Sequence, residues 1–370
     1  MKQLGKLNKL FLLLNIIAIV TMLFSYLALF CSPETFWMFA FFGLIYPIVL
    51  IVNILFIVYW AIQFKAQAFL SFLVIICGWN VLTRGIQLNF KNQLSKEELE
   101  NAPLMKVMSY NVRLFDLYNW TKNKKTRDGL LNFIKNEKPD IISFQEFYAD
   151  DNNKFISVDT LKKILQLPYV NTCYSITLRK TDHWGIATFS KYPIINTGAV
   201  IFNKKSTNSC IYSDIVINSD TIRVYNAHLQ SIHFNKEDYK FISKLENNED
   251  VEEIDGSKKI LRRMKRAYVK RSSQADSIHA SINRSPYPVI VCGDFNDSPS
   301  SYTYQTISKN LNDAFMESGN GLGRSYKGEF PSLRIDYLLF SPLLRSYNFT
   351  TFPDEYSDHY AVSCYTRLVK

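Results

Sequence analysis

The chain has 370 residues, 47% of them hydrophobic, and a formal net charge of +10 at neutral pH. Residues 86–370 carry 38 of the 43 Lys and Arg and 32 of the 33 Asp and Glu, a local excess of +6. This mild basicity suits an anionic substrate or an anionic membrane surface and is too weak for a nucleic-acid-binding tail. Six cysteines without CxxC or zinc-ligand spacing argue against a disulfide framework.

The N-terminal quarter of the chain is almost free of charge, since Glu34 is the only charged residue between Leu10 and Gln63. Residues 10–30 and 36–62 exceed the roughly 20 apolar residues that cross a bilayer, and residues 66–82 form a shorter third stretch. We therefore expect residues 1–85 to be a membrane region with three transmembrane helices. Through these helices the chain would have the lipid bilayer as a partner. A hydrophobic hairpin inside a soluble core is the alternative.

Few charges bear on the orientation of these helices. Lys2, Lys6 and Lys9 precede the first stretch and Lys65 lies between the second and third, so these ends are expected in the cytoplasm. Three spans then place residues beyond Arg84 on the outer face of a bacterial inner or plasma membrane. Losing the third span would invert this orientation.

The rest of the chain predicts a linker or short helix at residues 86–103 and one large α/β domain at residues 104–370. Apolar runs bounded by turn residues predict strands, and amphipathic spacing predicts helices, so we expect a layered α/β sandwich. A charged segment at residues 235–259 is expected to be a surface insertion. The predicted strands cover residues 106–110, 140–144, 185–190, 211–217, 221–227, 288–292, 334–340 and 361–367, and the predicted helices cover residues 126–137 and 261–283.

Polar side chains stand at the ends of three apolar runs. Asn111 can bind a phosphate oxygen or metal-bound water, although Asn is also common in turns. Glu146 can be the main protein ligand of a magnesium ion, which prefers one or two carboxylates, although a solvated loop acid is an equal alternative. His228 can serve as an acid or a base near neutral pH if a carboxylate holds its ring. Asp182 is a candidate for that partner.

Two short motifs add acids and a second histidine. In Gly293-Asp294-Phe295-Asn296, the aspartate can orient or deprotonate a water while the Asn296 amide donates to developing negative charge. An Asx turn is the structural alternative. In Ser357-Asp358-His359, the histidine can act as an acid or base, and Asp336 is the candidate carboxylate that holds it.

Seven motifs in chain order resemble the endonuclease/exonuclease/phosphatase superfamily over about residues 104–370. The resemblance implies a four-layered α/β sandwich of the DNase I type, with the site at one end of paired sheets and a Mg²⁺ or Mn²⁺ ion. The motifs are Ser109-Tyr110-Asn111, Gln145-Glu146, a Trp-Gly-Ile-Ala-Thr-Phe-Ser-Lys-Tyr-Pro run at residues 184–193, Asn226-Ala227-His228-Leu229, Gly293-Asp294-Phe295-Asn296, Arg334-Ile335-Asp336-Tyr337 and Ser357-Asp358-His359.

The same resemblance implies a role for each residue. Glu146 would bind the metal, with Asn111 and Asp358 as co-ligands or orienting groups. His359 would be the general base, held by Asp336. The remaining three would contact water and substrate: Asp294 and Asn296 position the water and the phosphate, and His228 assists the phosphoryl oxygen or the leaving group.

We therefore expect a membrane-anchored, metal-dependent phosphoesterase that hydrolyses a phosphodiester, in nucleic acid or in a phospholipid-type substrate, by attack of an activated water. A catalytically silent membrane-bound binding module on the same fold is the alternative. The sequence indicates no protein partner.

Overall fold

The computed structural model describes residues 5–89, 92–202, 208–232, 254–327 and 334–369. These residues divide into two compact units, described separately below. The first comprises Met1–Gly85, Ile232–Ser273 and Ser298–Gln305, and the second comprises Ile86–Ser231, Gln274–Asp297 and Thr306–Lys370.

Six helices form the N-terminal part of the first unit. They are α1 (Lys6–Leu27), α2 (Pro33–Phe36), α3 (Met38–Leu44), α4 (Tyr46–Ile62), α5 (Ala68–Cys77) and α6 (Trp79–Gly85). Of the described helices, α1 alone is long and apolar enough to cross a membrane. The number rises to three if each bent pair, α3 with α4 (61°) and α5 with α6 (72°), is one span.

Three transmembrane helices were predicted, and among the described helices one is long and apolar enough without a break. The second stretch breaks at Ile45, next to the first turn of α4, where Pro47 cannot donate a backbone hydrogen bond. The third breaks at Gly78, the C-cap of α5. Hydropathy counts apolar residues and does not detect these backbone interruptions.

A buried polar network joins α1, α4 and α5. Asn15 donates to Ser71 Oγ (2.6 Å), Ser71 donates to Asn53 Oδ1 (2.9 Å), and Trp60 donates its indole N–H to Asn15 Oδ1 (3.0 Å). Hydrogen bonds between polar side chains hold helices together where apolar surroundings favour no particular contact. The network therefore fixes the packing of the three helices.

The second unit contains two six-stranded sheets. The first sheet has the strand order β13-β14-β2-β3-β5-β4, and the second has the order β10-β12-β9-β8-β7-β6. In each sheet the central pair, β2–β3 or β8–β9, is parallel and its neighbours are antiparallel. The strands are β1 (Gln87–Leu88), β2 (Met105–Asn111), β3 (Ile141–Asp150), β4 (Tyr169–Leu178), β5 (Asp182–Ser190), β6 (Ile194–Val200), β7 (Ser209–Ile217), β8 (Asp220–His228), β9 (Val289–Asp294), β10 (Asn312–Asp313), β11 (Asn320–Gly321), β12 (Asp336–Phe340), β13 (Leu344–Phe352) and β14 (Ala361–Leu368).

Two apolar layers stabilise this sandwich. Between the sheets, Val107 and Ile141 from one sheet pack with Val224, Ile290 and Leu338 from the other. On the outer face of the first sheet, residues such as Phe144 and Phe189 pack against helices α8 (Thr126–Glu137) and α9 (Val158–Leu165). Strands buried on both faces read as continuous apolar runs, which is why the sequence predicted the central strands.

The remaining helices are α7 (Lys96–Asn101), α10 (Ile254–Ile282), α11 (Tyr302–Ile307) and α12 (Ala314–Ser318). Helix α7 begins with a capping box between Ser95 and Glu98, in the segment predicted as a linker or short helix. That segment is tied down, because β1 pairs with β11 and Leu94 N–H donates to Asn348 Oδ1 (2.8 Å). Most of the predicted insertion at residues 235–259 lies outside the described residues, and its last part, from Ile254, is the start of α10.

Candidate active site

The site lies where the central strands of both sheets end. Asn111 is the last residue of β2, His228 the last of β8 and Asp294 the last of β9. Strand register places Asp294 beside His228 on one side and beside Asp336, the first residue of β12, on the other. Glu146 lies on β3 at an irregularity in pairing between Phe144 and Phe147 and has a φ of +45°. The irregularity re-aims its side chain, as bulges next to active sites do.

Asp294 is the centre of the polar cluster. Its carboxylate accepts hydrogen bonds from the Asn111 amide (3.0 Å), the Asn296 amide (3.1 Å) and the Asn296 backbone N–H (2.8 Å). Asn296 also donates to the backbone oxygen of Leu229 (3.0 Å), which fixes its side chain next to the end of β8. Burial raises the pKa of Asp294, while the nearby His359 and His228 oppose that rise.

His359 is a buried histidine between two carboxylates. Its Nδ1 lies 2.9 Å from Asp336 Oδ2, and its Nε2 lies 3.7 Å from Asp294 Oδ2. Burial lowers the pKa of His359, but Asp336 and Asp294 outweigh this effect and raise the pKa to about 10. The ring is therefore an imidazolium at neutral pH, with Nδ1–H donating to Asp336.

Glu146 and Asp358 form an acidic edge of the site. The Glu146 side chain is 37% exposed. Burial raises its pKa, as does Asp358, whereas His359 and a hydrogen bond from Asn111 lower it. The partial exposure limits this rise, because water solvates the charged form. Arg113 Nε lies 3.3 Å from Asp358 Oδ2 and balances part of this negative charge.

His228 lies between the two groups of acids. Its Nε2 is 3.9 Å from Glu146 Oε1 and 3.8 Å from Asp294 Oδ2. The sequence suggested Asp182 as its partner, but Asp182 Oδ1 accepts a hydrogen bond from Tyr148 OH (2.7 Å), two residues beyond Glu146 on β3. That suggestion was wrong, because sequence spacing carries no information on which strands pair.

Two sets of residues offer metal ligands. Among the described residues, Asp294, Asp336 and His359 present ligand atoms within 4.8 Å of one another. In that set, His359 Nδ1 is already within hydrogen-bond distance of Asp336 Oδ2 (2.9 Å). The oxygen donors of Glu146 and Asp358 fit a hard cation better, because their repulsion raises the pKa of Glu146 and a cation would relieve it. The residues present therefore fit a magnesium-type ion at the acidic edge.

The structure adds one site residue that sequence reasoning missed. Arg113 follows Asn111 by two residues, and its backbone N–H donates to Asn111 Oδ1 (3.1 Å). Its position two residues beyond a strand-end asparagine was the only signal in the sequence. The eight predicted residues, in contrast, all come from the strand ends and loops described above.

Comparison with known proteins relates the chain to two sequence families. The sequence profile of the Endonuclease/Exonuclease/phosphatase family matches residues 108–359, and the profile of a domain of unknown function matches residues 8–85. No curated protein sequence matches the chain.

Solved structures show the same fold at low sequence identity. An endonuclease/exonuclease/phosphatase family protein from Bacteroides thetaiotaomicron is 15% identical, with 72% of this chain and 98% of that chain covered and a TM-score of 0.51. The human Nocturnin catalytic domain, with a bound sulfate anion, is 17% identical, with 72% and 94% covered and a TM-score of 0.50. An endonuclease/exonuclease/phosphatase from Beutenbergia cavernae is 16% identical, with 72% of each chain covered and a TM-score of 0.51. The family profile spans more than half of the chain, so this protein belongs to the Endonuclease/Exonuclease/phosphatase family.

Proposed function

We propose that this protein is a membrane-anchored, metal-dependent hydrolase of phosphodiesters. The observation that carries the proposal is the position of Asp294, between the His359–Asp336 pair and His228, with Glu146 and Asp358 nearby. Hydrolysis of a phosphodiester needs a group that orients water, donors for the phosphoryl oxygens and a proton for the leaving group. Each of these can be assigned to a residue of the cluster.

Asp294 is the group that orients the attacking water and takes its proton. Its raised pKa makes it a better base than an ordinary carboxylate, and Asn111 and Asn296 hold it in place. The family resemblance of the sequence implied His359 as the general base. The raised pKa of His359 supports a different role, in which its Nε2–H donates to a phosphoryl oxygen while Asp336 fixes the ring.

Glu146 and Asp358, with Asn111 beside them, would hold a Mg²⁺ or Mn²⁺ ion. When bound, the ion would supply positive charge against the phosphoryl oxygens. His228, 3.8 Å from Asp294 and 3.9 Å from Glu146, is placed to assist the leaving oxygen. The substrate class is a phosphodiester of nucleic acid or of a phospholipid.

The first test measures hydrolysis of bis(4-nitrophenyl) phosphate by the full chain in detergent, with Mg²⁺, Mn²⁺ or a chelator. Asp294→Asn and Glu146→Gln should each lower kcat about 10²- to 10⁴-fold. Asp159→Asn, at an 85% exposed carboxylate of α9, is the matched control and should keep the wild-type rate. Turnover that survives Asp294→Asn, or that needs no metal, would refute the assignment.

A second test separates the roles of the histidines. His228→Gln should slow hydrolysis of an alkyl phosphodiester more than that of the nitrophenyl ester, because a nitrophenolate leaves without a proton. His359→Gln should slow both equally. The alternative, a silent binding module, would be indicated if Mg²⁺ raised the melting temperature of the wild type but no phosphodiester was hydrolysed.

The membrane anchor is supported by the length and apolar composition of α1. We propose three crossings, with each bent helix pair acting as one span, and the residues beyond Gly85 on the outer face of a bacterial inner or plasma membrane. The test is protease accessibility of residues beyond 86 in sealed right-side-out vesicles. Protection of the C-terminal part would refute the orientation, and release of the intact chain by carbonate would refute membrane insertion.

A further inference from the structure

An exposed loop of unusual composition lies next to Arg113. Residues 118–125, called here the aromatic–basic loop, present Tyr118 (58% exposed) and Trp120 (42% exposed). Exposed lysines follow at positions 122, 124 and 125, and the loop contains no acid. An exposed tryptophan and tyrosine beside three exposed lysines suit a ligand that is both apolar and anionic.

Arg113 connects this loop to the acidic edge of the site. Its guanidinium lies 4.8 Å from the centre of the Trp120 ring, while its Nε lies 3.3 Å from Asp358. It also lowers the pKa of Glu146. A guanidinium has five N–H donors, and the Arg113 side chain is 32% exposed. It can therefore bind a phosphate while it remains paired with Asp358.

The backbone that carries Arg113 is held in one conformation. Four consecutive residues from Arg113 to Asp116 have φ between +44° and +60°, the left-handed region that side chains disfavour. Phe115 anchors this turn through edge contacts with Phe144 and Phe147 (5.8 Å each). Asp116 then accepts hydrogen bonds from the backbone N–H and the hydroxyl of Thr121. The loop thus starts from a rigid base beside the site.

The ring geometry favours a bilayer surface over a nucleobase as the ligand. Arg113 covers one face of Trp120, and the Tyr118 ring meets the Trp120 ring at 71° with 5.1 Å between centres. The pair therefore lacks the parallel open faces on which successive bases stack. Tryptophan and tyrosine are enriched at the headgroup level of membranes, and neighbouring lysines add attraction to anionic lipids. The chain also carries the apolar helix α1.

We propose that the aromatic–basic loop docks on the surface of an anionic bilayer, with Tyr118 and Trp120 at headgroup level, and that Arg113 binds the phosphate of a lipid phosphodiester there. The substrate part of this inference rests on the proposed function, whereas docking of the loop does not. A lipid diester would thereby be presented to Glu146, Asp358 and Asp294 from the membrane surface.

Docking is tested without catalysis, using the full chain reconstituted in vesicles of phosphatidylglycerol and dibrominated phosphatidylcholine. Bromine quenches tryptophan at headgroup and upper acyl depth. The difference between the emission of the wild type and that of Trp120→Phe isolates Trp120 from the other four tryptophans. We expect this difference signal to be quenched, and to recover when Lys122, Lys124 and Lys125 are changed to Ala together. A difference signal that bromolipid leaves unchanged would overturn the proposal.

Catalysis tests the substrate part in the same proteoliposomes. Tyr118→Ala should lower the rate on a phospholipid diester about tenfold more than the rate on bis(4-nitrophenyl) phosphate. Tyr169→Ala, at an exposed tyrosine of β4, is the matched control and should change neither rate. Arg113→Gln should raise KM about tenfold or more with a smaller effect on kcat, and Arg113→Lys should restore part of the loss.

The outcomes separate the two proposals. If Trp120 is quenched but no diester of any kind is hydrolysed, docking stands and the proposed function fails. If the soluble diester is hydrolysed but the loop variants leave lipid hydrolysis unchanged, the function stands and the inference fails. If the loop variants slow hydrolysis of single-stranded DNA and not of lipid, the loop is a nucleic-acid surface and the inference is likewise overturned.

Discussion

Gly293→Ala is the substitution whose effect the structure predicts most directly. Gly293 has a φ of +149°, and a Cβ at this position would lie 2.0 Å from the backbone oxygen of Ala227, its partner on β8. Ordinary contact begins at 3.4 Å, so β8 and β9 must separate by about 1.4 Å at this pair. No side chain can move aside, because the obstructing atom belongs to the backbone.

The cost of the substitution has two parts. The conformation disfavours any residue except glycine by about 1–3 kcal/mol, and separating the strands weakens one or two ladder hydrogen bonds worth about 1 kcal/mol each. We therefore expect the free energy of unfolding to fall by about 2–5 kcal/mol, a large part of the stability of an ordinary domain. Asp294 and His228 adjoin this pair, and a displacement of about 1 Å in a catalytic group costs about 100-fold in rate.

The assay combines urea unfolding of the full chain in detergent with hydrolysis of bis(4-nitrophenyl) phosphate in Mg²⁺. Gly321→Ala is the matched control, since Gly321 also has a positive φ (+77°) but no atom lies within 4 Å of its added Cβ. The control should lose about 1 kcal/mol and keep its rate. If Gly293→Ala unfolded like the control and hydrolysed at the wild-type rate, the close approach of β8 and β9 would not be what positions the site.

Three further substitutions test the packing of the two units. Asp313→Ala should lower the free energy of unfolding in urea by about 3–5 kcal/mol, because it removes the carboxylate that lies 2.8 Å from the Arg334 guanidinium, whose side chain is only 2% exposed. A loss below about 1 kcal/mol would contradict a buried ion pair. Asp150→Asn should make the free energy of unfolding less dependent on pH in the acid range. Three backbone N–H donors outweigh burial and hold the pKa of Asp150 below its usual value. The contribution of Asp150 to stability is therefore present above about pH 4 and is lost as pH falls through the lower folded pKa. If Asp150→Asn unfolded in acid with the same midpoint pH as the wild type, this role of Asp150 would be refuted. Asn53→Leu should lower the melting temperature in detergent by removing its bond to Ser71 and its backbone bonds, a loss of about 1–2 kcal/mol; a stability equal to wild type would show that the network is dispensable.

Local sequence patterns predicted the interior of the fold better than its borders. All eight predicted strands overlap observed strands, among them the central strands β2, β3, β8 and β9. Within the two six-stranded sheets, the strands that were missed, β4, β6, β10 and β13, are the four edges. An edge strand has fewer neighbours to cover it, and β4 and β6 are largely exposed or half-buried. Their sequences therefore lack the apolar run that marks a central strand.

The sequence was also sufficient to find eight candidate residues of the site, although not Arg113, because polar groups that end buried strands stand out against apolar runs. It could not predict which of these residues carry a proton at neutral pH. The pKa of His359 depends on Asp336 and Asp294, which are brought to it from other strands of the sandwich. Burial of all three groups makes these interactions strong, and burial is a property of the folded chain.

The sequence by itself thus determined the apolar N-terminal region, the central strands and eight candidate polar residues at strand ends or in adjoining loops, since each is encoded within a few neighbouring positions. Tertiary structure alone decided that Asp294 is the hub of the cluster, because register across β8, β9 and β12 sets its neighbours. It also decided that Arg113 faces Asp358, because a left-handed turn held by Phe115 aims it there. Register, burial and strained turns depend on contacts between residues distant in sequence, and local patterns carry no record of them.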